Sequence, residues 1–221
     1  YRPTGAGILR MGRKQIKTIS VGRITSGISV NTFAVKTIHF VRQQLPAWRD
    51  DPDRPDEQSE KKLNLQLCKF LDSCARSSFP MVRFRLHFFF SLVRRIYLAA
   101  SFVERTALEA HLYTIYDPVL VLEGKRLPAP SLYREKEYVT GGRRKTGGIQ
   151  RFKLRLHGAE LNLAALIGYV QESSLSHLHS NINRWISEFA TMSTDDGCDW
   201  SNNEILSLLE EDIAHGAASY R

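Results

Sequence analysis

Long apolar runs, cysteines and internal repeats are scarce or missing in this chain. No stretch approaches the roughly 20 consecutive apolar residues that a membrane-spanning helix needs, and Arg10, Arg13, Lys14 and Lys17 interrupt the N-terminal region. The expectation is a soluble, cytoplasmic protein with no membrane partner. Three cysteines occur, Cys68, Cys74 and Cys198, an odd number without zinc-ligand spacing, which argues against a disulfide scaffold and suits a reducing compartment. His177 and His179 do not share a helix face and bring no Cys or Asp at ligand spacing. There is no G-x-S-x-G elbow, and "GGRRKTGG" holds Lys145-Thr146 without the glycine spacing of a Walker loop.

What is present is an ordinary globular composition with an excess of positive charge. The 221 residues fit one good-sized domain, or a core with an appendage, and 43% of them are hydrophobic. Lys and Arg number 31 against 23 Asp and Glu, a net charge of +8, which is compatible with a polyanionic partner. Residues 1–54 carry β-favouring runs, "QIKTISV" and "VNTFAVKTIHFV", and then a Pro- and acid-rich linker, so they read as a small β-rich appendage. Residues 55–192 read as the core, and 193–221 as an acidic helix, "SNNEILSLLEEDI", capped by Ser201 or Asn202.

Within the core, Leu63, Leu67, Phe70 and Leu71 recur at helical spacing between 57 and about 74. Extended segments follow at 81–90 and 93–103, and then "VLVLEGKRL", which Pro128 and Pro130 stop. Glycines 141, 142, 147 and 148 frame a very basic loop, read as exposed and mobile, with a short helix after it. "LNLAALIGYV" reads as a buried strand, and 174–192 as an amphipathic helix. The fold class is therefore mixed α/β: a central mixed sheet flanked by helices, in the order α-β-β-β-α-β.

The chemistry concentrates where the apolar third strand ends in Glu123 and Lys125. Two apart on a strand, they project from one face about 6–7 Å apart along the chain. A carboxylate of the kind hard divalent cations take, beside a compact ammonium, suits metal-assisted attack on a phosphodiester. A salt-bridged pair at a strand end is the alternative reading of the same tripeptide.

The layout around "VLVLEGKRL", with the helix "EQSEKKLNLQLCKFL", the hairpin before it and the later "EYV", "GGIQRFK" and "LIGYV", resembles the PD-(D/E)XK, restriction-endonuclease-like nuclease superfamily over residues 55 to 192. The resemblance implies a DNA endonuclease using Mg²⁺ or Mn²⁺, in a bacterial setting such as defence against foreign DNA. It makes Glu123 and Lys125 the E-x-K acid and base. Glu60, with Glu57 as competitor, becomes the helix glutamate that reaches the metal through water, and Gln150 a glutamine beside the site. Arg143, Arg144 and Lys145, extended by Arg126, Arg151, Lys153 and Arg155, supply positive charge for the DNA backbone, with Arg94 and Arg95 near the same sheet end. RNA as target, a homodimer, and a partner protein in a larger defence complex stay open.

One position departs from that pattern. The family's metal-binding aspartate is expected on the second strand, in "VRRIYLAAS", where this sequence has Tyr97, a poor ligand that is neutral near pH 7. Asp117 is the alternative carboxylate, six residues and ~20 Å before Glu123 unless the chain bends at Pro118. Glu104 is a weaker one. The competing expectation is a catalytically impaired DNA-binding or assembly subunit that keeps the nuclease fold.

Overall fold

The computed structural model describes residues 32–90, 94–171, 174–192, 194–207, 210–212 and 216–218; the run "QIKTISV" lies outside them. In chain order the elements are α1 (Phe33–Arg49), α2 (Glu60–Ser78), β1 (Val82–Phe90), β2 (Arg94–Phe102), β3 (Thr106–Leu108), β4 (His111–Tyr113), β5 (Pro118–Leu127), α3 (Gly148–Lys153), β6 (Ala164–Val170), α4 (Leu175–Thr191), β7 (Glu210–Asp212) and β8 (Gly216–Ala218). Four strands form a mixed sheet in the order β1-β2-β5-β6. β2 runs antiparallel to both β1 and β5, and β6 returns parallel to β5 after the crossover through α3. This is the expected mixed α/β class, with strands close to where alternation and turn residues put them.

Two corrections concern the ends. The segment "VNTFAVKTIHFV", read as strand from its β-branched residues, is mostly α1. Thr37, Phe40, Val41 and Trp48 are buried at helical spacing, and the Thr32 hydroxyl caps the helix by accepting from the Val35 amide. The helix packs on the core: Phe33 and Phe40 stack on Phe79 with centroids 5.4 and 5.1 Å apart, and Phe33 meets Phe102 at 4.7 Å. At the other end, the described residues of "SNNEILSLLEEDI" form a single 3₁₀ turn, Asn202–Glu204, and the short strand β7, paired with β8, in place of the expected helix. Ser201 does cap that turn.

Each face of the sheet carries its own core. Leu98, Ala100 and Phe102 of β2 and Leu120 and Leu122 of β5 point to the side covered by α1 and α2, where Leu63, Leu67 and Leu71 are fully buried. On the other side Leu127 packs with Val139, Ile149, Leu178, Ile182, Trp185, Ile186 and Trp200. Glu123 and Lys125 have the parity of Leu127, so β5 carries them on this second face.

Gly124, between them, faces α2. A Cβ there would lie 2.0 Å from Asn64 Oδ1 and 2.6 Å from the Tyr169 hydroxyl. That space holds the bond in which buried Tyr169 donates to Asn64 at 2.6 Å. Gly124→Ala should therefore force the pair apart and lower stability by about 1–3 kcal/mol. Thermal unfolding checks this, and a melting temperature equal to that of the parent protein would show that the strand can shift at no cost.

Candidate functional site

Glu123 is 2% exposed, and every strong neighbour of its carboxylate is a nitrogen. Oε1 accepts from the Arg151 guanidinium and lies 3.3 Å from Lys125 Nζ. Oε2 lies 2.8 Å from His157 Nδ1, an ion-pair distance without good hydrogen-bond alignment. Lys125 is equally buried, and its ammonium also donates to Glu60 Oε1 at 3.0 Å. β5 brings the acid and base together, the first turn of α2 supplies Glu60, α3 supplies Arg151, and the loop after α3 supplies His157.

The two acids of the α2 region separate cleanly. Glu60 reaches the site across 65 residues of sequence. Glu57 turns back on its own chain, accepting from the Ser59 and Gln58 amides at 2.8 and 2.9 Å and pairing with Lys62. The Ser59 amide in particular holds its carboxyl below the usual range.

Tyr97, where the resemblance implies an aspartate, belongs to an aromatic row. The β2–β5 ladder ends with Leu98 opposite Leu122, so Tyr97 and Glu123 are the next residues beyond its last pair. Tyr97 stacks on His87 at 5.5 Å and meets the ring of His157 at 4.8 Å. Burial pushes the Tyr97 hydroxyl pKa up, so it offers no phenolate at neutral pH.

Asp117 and Gln150 make their contacts away from Glu123, and two of the arginines turn from the surface. Asp117 closes a turn, its Oδ2 accepting from the amide and hydroxyl of Thr114 at 2.7 and 2.8 Å, and it plays no part around Glu123. Gln150 is fully buried, and its amide is committed to backbone: Oε1 accepts from Gly141 and Gly147, and Nε2 donates to the carbonyls of Gly142 and Asp196. Arg151, expected on a DNA-facing surface, points inward to Glu123 and to the Lys145 carbonyl. Arg126 is half-buried and donates to the Gln58 carbonyl at 3.2 Å. Arg143, Arg144 and Lys145 are exposed as expected, and Lys153 pairs with Glu204.

The residues around Glu123 do not fit a Mg²⁺ or Mn²⁺ ion as arranged. Such an ion wants several oxygens, whereas here a single buried carboxylate already faces two fixed cations and an imidazole, and Glu60 is engaged by Lys125. Among the described residues no three His, Cys, Asp or Glu side chains gather as a metal-binding group, and no helix is long and apolar enough to cross a membrane. His157, the neighbour that sequence reasoning missed, lies in a loop where no periodicity marks a buried residue. No protein-family model, curated protein or solved structure matches the chain.

The charge balance has a pH signature. Burial pushes the Glu123 carboxyl up, but His157, Lys125 and Arg151 outweigh it and hold it below the ordinary glutamate range. Asp196, buried but accepting from Thr140, Cys198, Thr194 and Trp200, is held below its ordinary range in the same way. Both groups bind protons more readily unfolded than folded. Their stabilisation is therefore complete above the unfolded values, about 4.3 for Glu and 3.9 for Asp, and is lost as pH falls through the lower folded values. Melting temperature should decline below about pH 4. Glu123→Gln should leave Arg151 without its carboxylate and Lys125 with Glu60 alone, cost about 3–5 kcal/mol at pH 7 and flatten that decline. An unchanged acid profile in the variant would mean that Glu123 is not the anion the cations hold.

Proposed function

We propose that this chain binds nucleic acid through the phosphate backbone, as a nuclease-type domain in which the E-x-K pair braces the fold and does not support metal-assisted hydrolysis. The observation that carries this reading is the state of Glu123. Arg151, Lys125 and His157 already occupy its carboxylate oxygens, and the neighbouring Tyr97, which meets the His157 ring, brings no second acid. Within the four-stranded sheet, apart from the inserted β3–β4 pair, the order α2-β1-β2-β5-α3-β6 agrees with the α-β-β-β-α-β arrangement the resemblance implies. The +8 charge and the exposed Arg143, Arg144 and Lys145 support a polyanionic ligand, DNA in the first place. A role in defence against foreign DNA rests on the resemblance alone.

One observation favours a second reading, a Mg²⁺-dependent DNA endonuclease. Glu60, Glu123 and Lys125, the three residues the resemblance assigns to a catalytic centre, meet within 3.0–3.3 Å contacts although Glu60 lies far off in sequence. That reading requires Arg151 to leave Glu123 and another carboxylate to arrive.

Fluorescence anisotropy with labelled duplex DNA over a salt series, beside cleavage assays with Mg²⁺ and with Mn²⁺, separates the two. The proposal expects binding that weakens steeply with salt, a salt slope that falls by about 1 for Arg144→Ala and for Lys145→Ala, and no metal-dependent cutting. Cleavage by the parent protein that Lys125→Met abolishes would establish the endonuclease instead.

A further inference from the structure

The basic loop, with four framing glycines, has the composition of a solvated, mobile segment, yet its backbone is held at both ends. Gln150 Oε1 accepts from the amides of Gly141 and Gly147 at 2.9 and 3.2 Å, so one side chain clasps the two ends of the loop together. Its Nε2 ties the Gly142 carbonyl, at 2.9 Å, to the Asp196 carbonyl, at 2.8 Å. The glycines are needed for this closure: a Cβ on Gly147 would lie 2.3 Å from Thr140 Cα, and one on Gly141 would lie 2.0 Å from the Thr146 hydroxyl.

Asp196 completes the clasp from the C-terminal segment. Its carboxylate, 3% exposed as a residue, accepts from the Thr140 hydroxyl at 2.7 Å, the Thr194 hydroxyl at 2.8 Å, the Cys198 amide at 2.9 Å and the Trp200 indole at 3.0 Å. Arg151 adds a bond from its Nε to the Lys145 carbonyl, which links the loop to the Glu123 cluster. On the outside, Gly142 and Lys145 take left-handed backbone angles, φ 58° and 54°, and between them the exposed Arg143 and Arg144 project. Arg143 pairs with Asp195, itself largely exposed, a contact that a phosphate can displace at little cost.

Ordering a flexible basic loop at the moment of binding would consume part of its electrostatic attraction for a polyanion. A loop already ordered avoids that loss. We infer that residues 141–147 form a preorganised seat for the phosphate backbone of a nucleic acid, with Gln150 and Asp196 as the positioning residues that keep Arg143, Arg144 and Lys145 in place. This inference rests on the nucleic-acid reading above and adds to it the part of the surface that does the binding and the buried residues that shape it.

Two measurements test it on the full chain. In the free protein, amide hydrogen exchange at Gly141 and Gly147 should be slowed on the order of 100-fold or more relative to an unstructured peptide. Free exchange at both would overturn the preorganisation. Labelled duplex DNA then provides the second test. Gln150→Met changes no charge but leaves both glycine amides unpaired, so affinity should fall about three- to ten-fold at every salt concentration while the salt slope stays as it was. Loss of a phosphate contact, as in Arg144→Ala, changes the slope instead. Should Gln150→Met fail to fold, Thr140→Val, which removes one contact to Asp196, should give a smaller loss of the same kind. Binding by the parent protein that neither variant weakens would overturn the inference and leave the nucleic-acid reading standing. No binding by the parent protein would overturn both.

Discussion

A carboxylate withdrawn from water has to be met by positive charge or hydrogen-bond donors, and Glu123 is met from three directions. Much of the arrangement around β5 follows from satisfying that one group. Lys125 is drawn inward and, being an ammonium with donors to spare, engages Glu60 as well, which fixes the first turn of α2 against the strand end. Arg151 turns toward the sheet and not toward solvent. His157 closes the remaining side and in turn packs on Tyr97. The result is a brace that joins α2, β5, α3 and the loop beyond it through charge, in a region where apolar packing alone would join only neighbours.

The same brace reaches the surface that carries the excess positive charge. Arg151 contacts both Glu123 and the carbonyl of Lys145, so the inward cluster and the outward loop share a residue. Gln150, its neighbour on α3, performs the matching task for the glycines of the loop. Two adjacent side chains thus convert a segment that composition would leave loose into one with a defined shape. The nucleic-acid contact proposed above falls to the loop and its supports, with Glu123 and Lys125 holding Arg151 from beneath.

Much of this was legible in the sequence, for reasons that differ by element. The strands of the sheet and the helices α2 and α4 announce themselves through alternation and 3.6-residue spacing, and Glu123 and Lys125 stand out because charge interrupts an apolar strand. α1 was hidden because Thr37, Ile38 and Val41 favour strands locally, and only contacts with Phe79 and Phe102 decide for helix. The C-terminal helix failed because Glu204 is drawn inward to Lys153, and Ser201 caps one turn and no more. At the site, the choice of Glu60 over Glu57 and the inward turn of Arg151 depend on which side chains meet across 28 and 65 residues of chain, which spacing along the sequence does not encode. His157, in a loop, gives no periodic signal at all.

The central claim is that Glu123 is neutralised by protein cations and not by a metal. Calorimetric titration of the metal-free protein with Mn²⁺ tests it most directly, with Glu123→Gln titrated alongside. The account predicts no saturable heat in the parent protein beyond that seen with the variant. Stoichiometric binding to the parent protein that the variant loses would contradict it, and would mean that Arg151 yields its place to the ion.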